Sequence, residues 1–296
     1  KFMKNILHSS QINSLEKIYQ GKVRDIYEVD KNNILIISTD RVSVFDVVLP
    51  TPIPKKGIIL NEVSNFWFNK FSDLVDNHIS SLSINDLKIT DKEFDEIEGR
   101  YVIAKKLKPL PIESIVRSYL IGSGYSDYLS NGSICNIELP ENLKMASKLP
   151  NLIFTPSSKA EIGDHDINIS FDEMSNVIGI SNTENIKKIS LEIFHFAEKH
   201  LKLNNIILAD TKFEFGLSEY GQLVLMDELL TSDSSRFWLE ETYQEGISPP
   251  SLDKQFIRDY VKSISWNDTM PAPELPDDIV LKTSEKYEYL RNILMD

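Results

Sequence analysis

The chain lacks several features that would indicate a function directly. Its 296 residues include a single cysteine, Cys135, so neither an intrachain disulfide nor a zinc site built from cysteines can form. Basic residues number 32 against 45 acidic residues, which gives a net charge of −13. That balance argues against a general nucleic-acid-binding protein, because binding the phosphate backbone requires a basic surface. It still allows a small anionic ligand to bind in a locally basic site.

Signals for membranes or export are also missing from the sequence. No apolar run is long enough to cross a bilayer. Lys1 to Leu7 has neither a long apolar region nor a small-residue cleavage site. We therefore expect a cytoplasmic protein without a membrane partner. Hydrophobic residues make up 41% and charged residues 26% of the chain, which is typical of a globular protein with one large or two moderate domains.

The richest concentration of polar residues surrounds two apolar runs, Ile206 to Ala209 and Leu223 to Met226. These runs flank a turn and predict a β-hairpin. Charged residues follow each run at the point where it ends. Because side chains of a strand alternate between its two faces, Asp210, Lys212 and Glu214 are expected to share one face.

Two interpretations of this face stay open. One is a solvated strand face with a local salt bridge. The other is a metal and phosphate site, since burying three charges without a partner or ligand costs free energy. The hairpin would bring Glu214 and Asp227 together, and carboxylate oxygens are ligands that Mg²⁺ prefers.

Two polar segments near the amino terminus are candidates for ligand binding. Gly21-Lys22-Val23-Arg24 lies between two predicted strands, where a glycine followed by cations can fold over phosphates. A solvated hairpin turn is the alternative, and the segment is not a Walker A loop. Thr39 to Asp46, which includes Ser43, follows the next strand. Polar groups at such an exit are typical both of ligand sites and of capping turns.

A third candidate combines an arginine with a glycine-rich turn. Arg117 interrupts an otherwise apolar strand, and Gly122-Ser123-Gly124 follows it before a predicted helix. A buried arginine needs a partner, and the turn before a helix favours an anion site. A structural ion pair is the alternative interpretation.

Helical and strand periodicity predict a mixed fold. Two prolines in Lys108 to Pro111 are expected to interrupt the strands and to separate a mostly antiparallel β domain, residues 1–110, from a mixed α/β domain, residues 111–296. Asp91 to Gly99 is expected as an acidic surface turn. Apolar spacing predicts helices at 56–71, 171–180, 183–203, 249–264 and 278–294.

Two local expectations complete this pattern. The helix at 183–203 is expected to bury a stripe that includes Phe196 and Leu203. The loop from Phe154 to Asp166 is rich in hydroxyl and acidic groups and contains Lys159. His165 in this loop lacks a second histidine nearby, which favours a hydrogen-bonding role over metal ligation.

Six motifs occur in a fixed order along the chain: GKVRD, DRVSVFDV followed by PIPKKG, VRSYLIGSG, FTPSSKAEIGDHD, ADTKFEFG and MDELLTSDSSRFW. Together they resemble the SAICAR synthetase family of purine biosynthesis, the phosphoribosylaminoimidazole-succinocarboxamide synthases, in its single-function form. The motifs extend from Gly21 to Trp238. Each motif alone is weakly specific, and the agreement of all six in order carries the resemblance.

The resemblance implies an α+β fold of two parts, with ATP in a cleft between them, broadly like protein kinases and ATP-grasp enzymes. It implies a ligase that joins carboxyaminoimidazole ribonucleotide (CAIR) to L-aspartate, consuming ATP with Mg²⁺, through an acyl phosphate. The lack of a plausible catalytic triad agrees with this, because phosphoryl transfer depends on positioning and charge rather than on a protein nucleophile. We expect a monomer, with a dimer as the alternative.

The resemblance also assigns roles to residues. The loop over the ATP phosphates corresponds to Gly21, Lys22, Val23 and Arg24. The metal ligands correspond to Glu214 and Asp227, and the charged pair beside the reacting carboxylate to Lys212 and Asp210. The ribonucleotide phosphate is assigned to Arg117, Ser123 and Arg236, with Ser43 and Lys159 as further substrate contacts.

Two other functional classes suit some of the same residues. One is a kinase-like enzyme that phosphorylates a small molecule and stops there. The other is a nucleotide-binding regulatory protein without chemistry. A second phosphate site at Arg117, Ser123 and Arg236 favours the ligase, because a simple kinase does not need one.

Overall fold

The structure, a computed structural model, describes residues 6–159, 166–252 and 254–295. Helices and mostly antiparallel sheets are both present, so the predicted α+β class is confirmed. Within the described residues, no helix is both long and apolar enough to cross a membrane. The cytoplasmic location stays a prediction.

The chain forms two compact units. The first contains the residues up to Asn69, His78–Lys106 and the residues from Leu252 onward, and the second contains Lys70–Asn77 and Leu107–Ser251. The carboxy-terminal segment therefore groups with the amino-terminal residues. The domain limits inferred from the sequence stay a prediction.

The first unit is built on a four-stranded antiparallel sheet. Its strands are β1 (Glu16–Gln20), β2 (Arg24–Glu28), β3 (Asn33–Ser38) and β6 (Tyr101–Lys105), which lie in that order. A two-residue ribbon is formed by β4 (Ser43–Val44) and β5 (Val47–Val48). The helices of this unit are α1 (Lys56–Lys70), α2 (Asp91–Ile97), α6 (Gln255–Ser263) and α7 (Asp277–Met295).

The acidic segment expected as a surface turn is helix α2, so that expectation is wrong. Thr90 caps the helix, since its hydroxyl accepts from the Glu93 backbone N–H at 3.3 Å. In return the Glu93 carboxylate accepts from the Thr90 N–H at 2.8 Å. Ile97, at the other end, is fully buried in the core of the sheet. The Thr-Asp-Lys-Glu spacing carries this capping signal, which the acidic composition obscured.

The second unit is built on a seven-stranded antiparallel sheet. Five strands lie in the order β12 (Ile167–Asn168), β11 (Ser157–Ser158), β7 (Lys108–Tyr119), β13 (Ile206–Leu217) and β14 (Leu223–Met226). Two more strands pair onto the long central ones: β10 (Lys148–Phe154) onto β7 and β15 (Ser235–Leu239) onto β13. The predicted hairpin is confirmed, because β13 and β14 pair directly. A small ribbon is formed by β8 (Ser133–Ile134) and β9 (Ile137–Glu138).

Strand β7 runs through the two prolines that were expected to interrupt it. Pro109 lies opposite Gly216, next to a register shift between Glu214 and Gly216. A proline is tolerated at such a bulge because its missing N–H is not required by the ladder. Pro111 contributes through its carbonyl, which accepts from the Lys159 N–H at 3.2 Å.

Helices α3 (Gly122–Asn131), α4 (Phe171–Ile178) and α5 (Ile180–Lys202) belong to the second unit. The predicted stripe of α5 is wrong at two positions, since Phe196 is 45% exposed and Leu203 is 82% exposed. The helix buries Phe194 in place of Phe196, together with Ile193 and Ala197, and Leu203 lies past the last helical residue.

In the first unit, the start of α1 lies directly against the end of β3. A β-carbon on Gly57 would be 2.2 Å from the carbonyl oxygen of Ser38, closer than any real contact of that kind. The buried carboxylate of Asp40 accepts from the Gly57 N–H at 2.9 Å and from the Leu7 N–H at 2.8 Å, and it pairs with Arg100 at 2.9 Å. Asp40, the first residue of the second motif, thus connects the end of β3 to the start of α1.

We expect Gly57→Ala to destabilise the protein. Alanine in a helix ordinarily stabilises by about 1 kcal/mol relative to glycine, so the close approach to Ser38 should reverse the sign of the effect. Thermal unfolding measures it. Asn65→Ala, within the same helix, is the control and should leave the melting temperature unchanged or slightly raised. A melting temperature for Gly57→Ala at or above that of the parent would contradict the close packing.

Candidate functional site

The second unit gathers its charged side chains through the pairing of two long strands. In the antiparallel register of β7 with β13, Arg117 lies opposite Asp210 and Glu113 lies opposite Glu214. On the other side of β13, Arg236 of β15 also lies opposite Asp210. The register is regular from Asp210 to Glu214, so the predicted common face of Asp210, Lys212 and Glu214 is present.

The first cluster on this face joins two arginines to one carboxylate. Arg117 donates to Asp210 Oδ2 at 3.0 Å, and Arg236 pairs with the same oxygen. The Arg117 side chain is 2% exposed, whereas that of Arg236 is 37% exposed. Two positive charges lie against one carboxylate in direct contact, and Asp127 acts on Arg117 from further away. The direct pairing leaves positive charge in excess within the cluster, which favours the binding of an anion.

Arg117 donates further hydrogen bonds to acceptors in its own unit. It donates through Nε to Thr155 at 2.9 Å, and one terminal nitrogen donates to the Ser123 hydroxyl at 3.1 Å. Burial lowers the pKa of Arg117, and the carboxylate of Asp210 opposes that shift. The arginine therefore stays charged. It fixes Ser123 and Asp210 in place, while Arg236 presents the more accessible guanidinium.

The Gly-Ser-Gly turn leaves room for both arginines at the start of α3. Gly122 has φ +61°, and a β-carbon there would lie 2.5 Å from a terminal nitrogen of Arg236. A β-carbon on Gly124 would lie 3.1 Å from Arg117 Nε. The glycines let the guanidinium groups approach the first turn of the helix, where backbone N–H groups also favour an anion.

The second cluster surrounds Lys212. Its ammonium group donates to Glu113 Oε1 at 2.9 Å and to Glu214 Oε1 at 2.6 Å. Lys159 pairs with the other oxygen of Glu214. Burial by itself lowers the pKa of Lys212, but the carboxylates of Glu214, Asp227 and Glu113 outweigh burial and raise it. Lys212 is therefore a permanent cation among three carboxylates.

The two clusters carry opposite excess charge. Lys159 and Lys212 supply two positive charges against three negative charges from Glu113, Glu214 and Asp227, which leaves one negative charge. Burial raises the pKa of Glu113, with Lys212 acting in the opposite direction. A site with excess negative charge and carboxylate oxygens suits a cation.

Asp227 lies at the end of β14 in a strained backbone conformation. Its φ is +74°, and it follows Met226, the residue paired with Glu214. A non-glycine residue in this region costs free energy and often marks a functional site. Among the described residues, no three or more carboxylate, histidine or cysteine side chains form a group that could hold a metal alone. Mg²⁺ in nucleotide-dependent enzymes usually takes only one or two carboxylates together with phosphates, so the metal role of Glu214 and Asp227 stays a prediction.

The GKVRD segment forms the tight turn between β1 and β2 in the first unit. Gly21 N–H donates to the Arg24 carbonyl at 2.7 Å and closes the turn. Lys22 is an exposed residue whose ammonium group reaches Asp46 at 2.5 Å. Ser43 lies in β4, two residues after the buried Arg41.

Several predictions from the sequence differ from the contacts in the structure or concern residues that the structure does not describe. Lys212 pairs with glutamates, and Asp210 pairs with arginines, so the two residues predicted as one charged pair belong to neighbouring clusters. Glu113 was missed because a single glutamate in a strand carries no motif. Residues 160–165, with His165, lie outside the described residues. Cys135 is a half-buried thiol, and burial raises its pKa to about 12.

Residues 17–273 match the model of the SAICAR synthetase family. The chain belongs to the SAICAR synthetase family. The phosphoribosylaminoimidazole-succinocarboxamide synthase of Pasteurella multocida is 51% identical over 281 residues, which is 95% of this chain and 98% of the relative. That of Nitrosomonas europaea is 49% identical over 289 residues, or 97% of this chain and 98% of the relative.

A solved structure agrees with these relatives. The SAICAR synthase from Saccharomyces cerevisiae, complexed with SAICAR, matches with a TM-score of 0.89 at 35% identity over 98% of each chain. The family and the function predicted from the motifs are therefore confirmed. The chain is an ATP-dependent ligase of purine biosynthesis that joins CAIR to L-aspartate. The kinase-like and regulatory alternatives are set aside, while the roles of individual residues stay predictions.

The close approach at Gly122 leads to a test of the first cluster. We expect Gly122→Ala to weaken binding of the ribonucleotide, because the added methyl group must displace Arg236. Gly132→Ala is the matched control. Gly132 has φ +68° and ends the same helix, but a β-carbon there meets nothing within 4 Å.

Both variants should lose about 1–2 kcal/mol of stability from the unfavourable backbone conformation. Only Gly122→Ala should also raise the KM for the ribonucleotide, measured by steady-state kinetics. Equal KM values in the two variants would show that Gly122 serves the backbone alone.

Proposed function

We propose that the two clusters of the second unit hold the two ends of CAIR during the ligation. The observation that carries this proposal is their opposite charge excess on one face of β13. Residues two apart on a strand are about 7 Å apart, so Asp210 and Lys212 place the clusters within reach of one small ligand. The positive cluster suits the 5′-phosphate, and the Lys212 cluster suits the carboxylate and the metal-bound phosphates.

At the phosphate end, Arg236 makes the direct contact in this proposal. Arginine presents a planar fork that matches phosphate oxygens, and Arg236 is the accessible guanidinium of the cluster. Arg117 and Ser123 complete the cluster at the start of α3. Asp210 acts as a positioning residue that keeps the two like charges side by side.

At the reacting end, Lys212 lies beside the carboxylate of the imidazole ring. A carboxylate is a poor electrophile, so transfer of a phosphoryl group from ATP to it provides a leaving group for attack by the amine of L-aspartate. Lys212 stabilises the negative charge that develops on the oxygens during both steps. Lys159, Ser43 and the residues that bind L-aspartate complete the substrate contacts.

Glu214 and Asp227 are the residues that would hold Mg²⁺. Both Glu214 oxygens already accept from lysines, but a carboxylate oxygen has a second lone-pair direction that remains usable. Mg²⁺ bound there would neutralise negative charge on the ATP phosphates. In the first unit, Gly21, Lys22, Val23 and Arg24 form the loop over the ATP phosphates. The protein is proposed to act as a cytoplasmic monomer.

The phosphate assignment predicts a selective loss of affinity in Arg236→Ala. Its affinity for CAIR should fall about 10- to 100-fold, the range expected for a lost charge-assisted hydrogen bond. Its affinity for the dephosphorylated nucleoside should equal that of the parent. Arg236→Lys, which keeps the charge but loses the fork, should bind CAIR with intermediate affinity. Calorimetric titration measures the affinities of the parent, Arg236→Ala and Arg236→Lys.

The control for this experiment is Arg291→Ala. Arg291 has a similar exposure of 39% and also pairs with a carboxylate, that of Glu62 at 2.7 Å, but it belongs to the first unit. It should bind both ligands as the parent does. If Arg236→Ala lost affinity equally for CAIR and for the nucleoside, the phosphate would bind elsewhere.

The metal assignment predicts a changed Mg²⁺ requirement. Glu214→Gln and Asp227→Asn should each raise the Mg²⁺ concentration needed for half-maximal ADP release by about tenfold or more, because an amide keeps the shape but loses the anionic ligand. Glu113→Gln is the control, since it removes a third carboxylate from Lys212 without touching the proposed metal ligands. If Glu113→Gln raised the required Mg²⁺ concentration as much as the other two variants, the effect would come from the general loss of negative charge around Lys212. The metal assignment would then be wrong.

A further inference from the structure

The second motif, DRVSVFDV, has no assigned role beyond Ser43, yet its first residues bind the first motif. Arg41 is 2% exposed. It donates through Nε to the Lys22 carbonyl at 3.0 Å, and a terminal nitrogen donates to the Gly21 carbonyl at 3.0 Å. The same terminal nitrogen pairs with Asp25 at 2.8 Å.

The next carbonyl along the loop is bound in the same way. The Val23 carbonyl accepts from the Thr39 backbone N–H at 3.0 Å and from its hydroxyl at 2.7 Å. Three consecutive carbonyls of the GKVRD turn are therefore bound by two residues of one short segment, Thr39 to Arg41.

This arrangement determines where the N–H groups of the loop point. In a trans peptide, the carbonyl of one residue and the N–H of the next point in opposite directions. Because the carbonyls of Gly21 and Lys22 point toward Arg41, the N–H groups of Lys22 and Val23 point away from it. Neither N–H donates a hydrogen bond to another described residue. Successive N–H groups that face outward form a concave site for anions.

We propose that Arg41, with Thr39, is the positioning residue that turns the backbone N–H groups of Lys22 and Val23 toward a nucleotide phosphate. This inference rests on the proposed function, in which the GKVRD loop covers the ATP phosphates. Asp25 holds the guanidinium in place, and it also accepts from the backbone N–H of Ser10 at 2.8 Å. Burial and hydrogen bonds act in opposite directions on Asp25, and the bonds from Arg41 and Ser10 prevail and lower its pKa. Arg41 is therefore held as a fixed cation beneath the loop, without touching the nucleotide.

The experiment compares ADP with adenosine as ligands of Arg41→Lys. Lysine keeps the positive charge but has no fork to bind two carbonyls and Asp25 together. The affinity for ADP should fall about tenfold, whereas the affinities for adenosine and for CAIR should stay within about twofold of the parent. A residue that merely supports the fold would lower all three affinities together, and that result would overturn the proposal.

Two further variants separate the possible failures. Lys22→Ala tests the proposed function itself: if neither it nor Arg41→Lys changes the affinity for ADP, the loop is not the phosphate site. If Lys22→Ala weakens ADP binding but a folded Arg41→Lys does not, the proposed function stands and the role of Arg41 is overturned. Arg100→Lys is the matched control, because Arg100 forms another buried arginine–aspartate pair in this unit, with Asp40 at 2.9 Å. It should lower the melting temperature without a selective loss of ADP affinity.

Should Arg41→Lys fail to fold, Thr39→Val provides the same test with a smaller change. Valine keeps the shape of threonine and removes the hydroxyl, which donates to the Val23 carbonyl at 2.7 Å and accepts from the Arg41 N–H at 3.4 Å. The affinity for ADP should then fall about threefold, as for one neutral hydrogen bond, with adenosine unaffected. Parental affinity for ADP in a folded Thr39→Val variant would overturn the proposal.

Discussion

The pairing of β7 with β13 is the constraint on which the rest of the site depends. Its register sets Arg117 opposite Asp210 and Glu113 opposite Glu214. A slip of one residue would move every one of these side chains to the other face of the sheet. Like charges directly opposite each other destabilise a strand pair, so Glu113 and Glu214 need Lys212 between them. The chemistry of the site and the stability of the sheet thus depend on the same ion pairs.

The clusters also explain how an acidic protein handles anionic substrates. A chain with a net charge of −13 repels nucleotides at long range. The second unit compensates locally by placing two arginines on one aspartate. In the neighbouring cluster, two lysines lie among three carboxylates. Removing a single partner from such a buried group leaves an unpaired charge, which costs about 3–5 kcal/mol. The charges are therefore fixed before any ligand arrives, and this is the condition for electrostatic catalysis.

The first unit uses a buried arginine for a different purpose. Arg41 binds backbone carbonyls of a loop, whereas Arg117 binds side chains of a sheet and a helix. Arg41 lies against the tight GKVRD turn, and Arg117 lies against Gly124. In each case a more accessible cation lies nearby, Lys22 or Arg236. In the proposed function, the buried arginine positions the site and the accessible cation contacts the ligand.

The sequence by itself determined the family, the ligase function, the β13–β14 hairpin and the common face of Asp210, Lys212 and Glu214. The family and the ligase function follow from the resemblance of six ordered motifs to a known family, whereas the hairpin and the common face follow from period-two alternation, which a linear pattern contains. Only the tertiary structure decided that Lys212 pairs with Glu113, that Asp210 serves two arginines, and that Arg41 lies beneath the GKVRD loop. Each of these contacts joins residues from different strands or loops. Partners in an antiparallel sheet are selected by register and by bulges such as the one at Gly216, which no local pattern specifies.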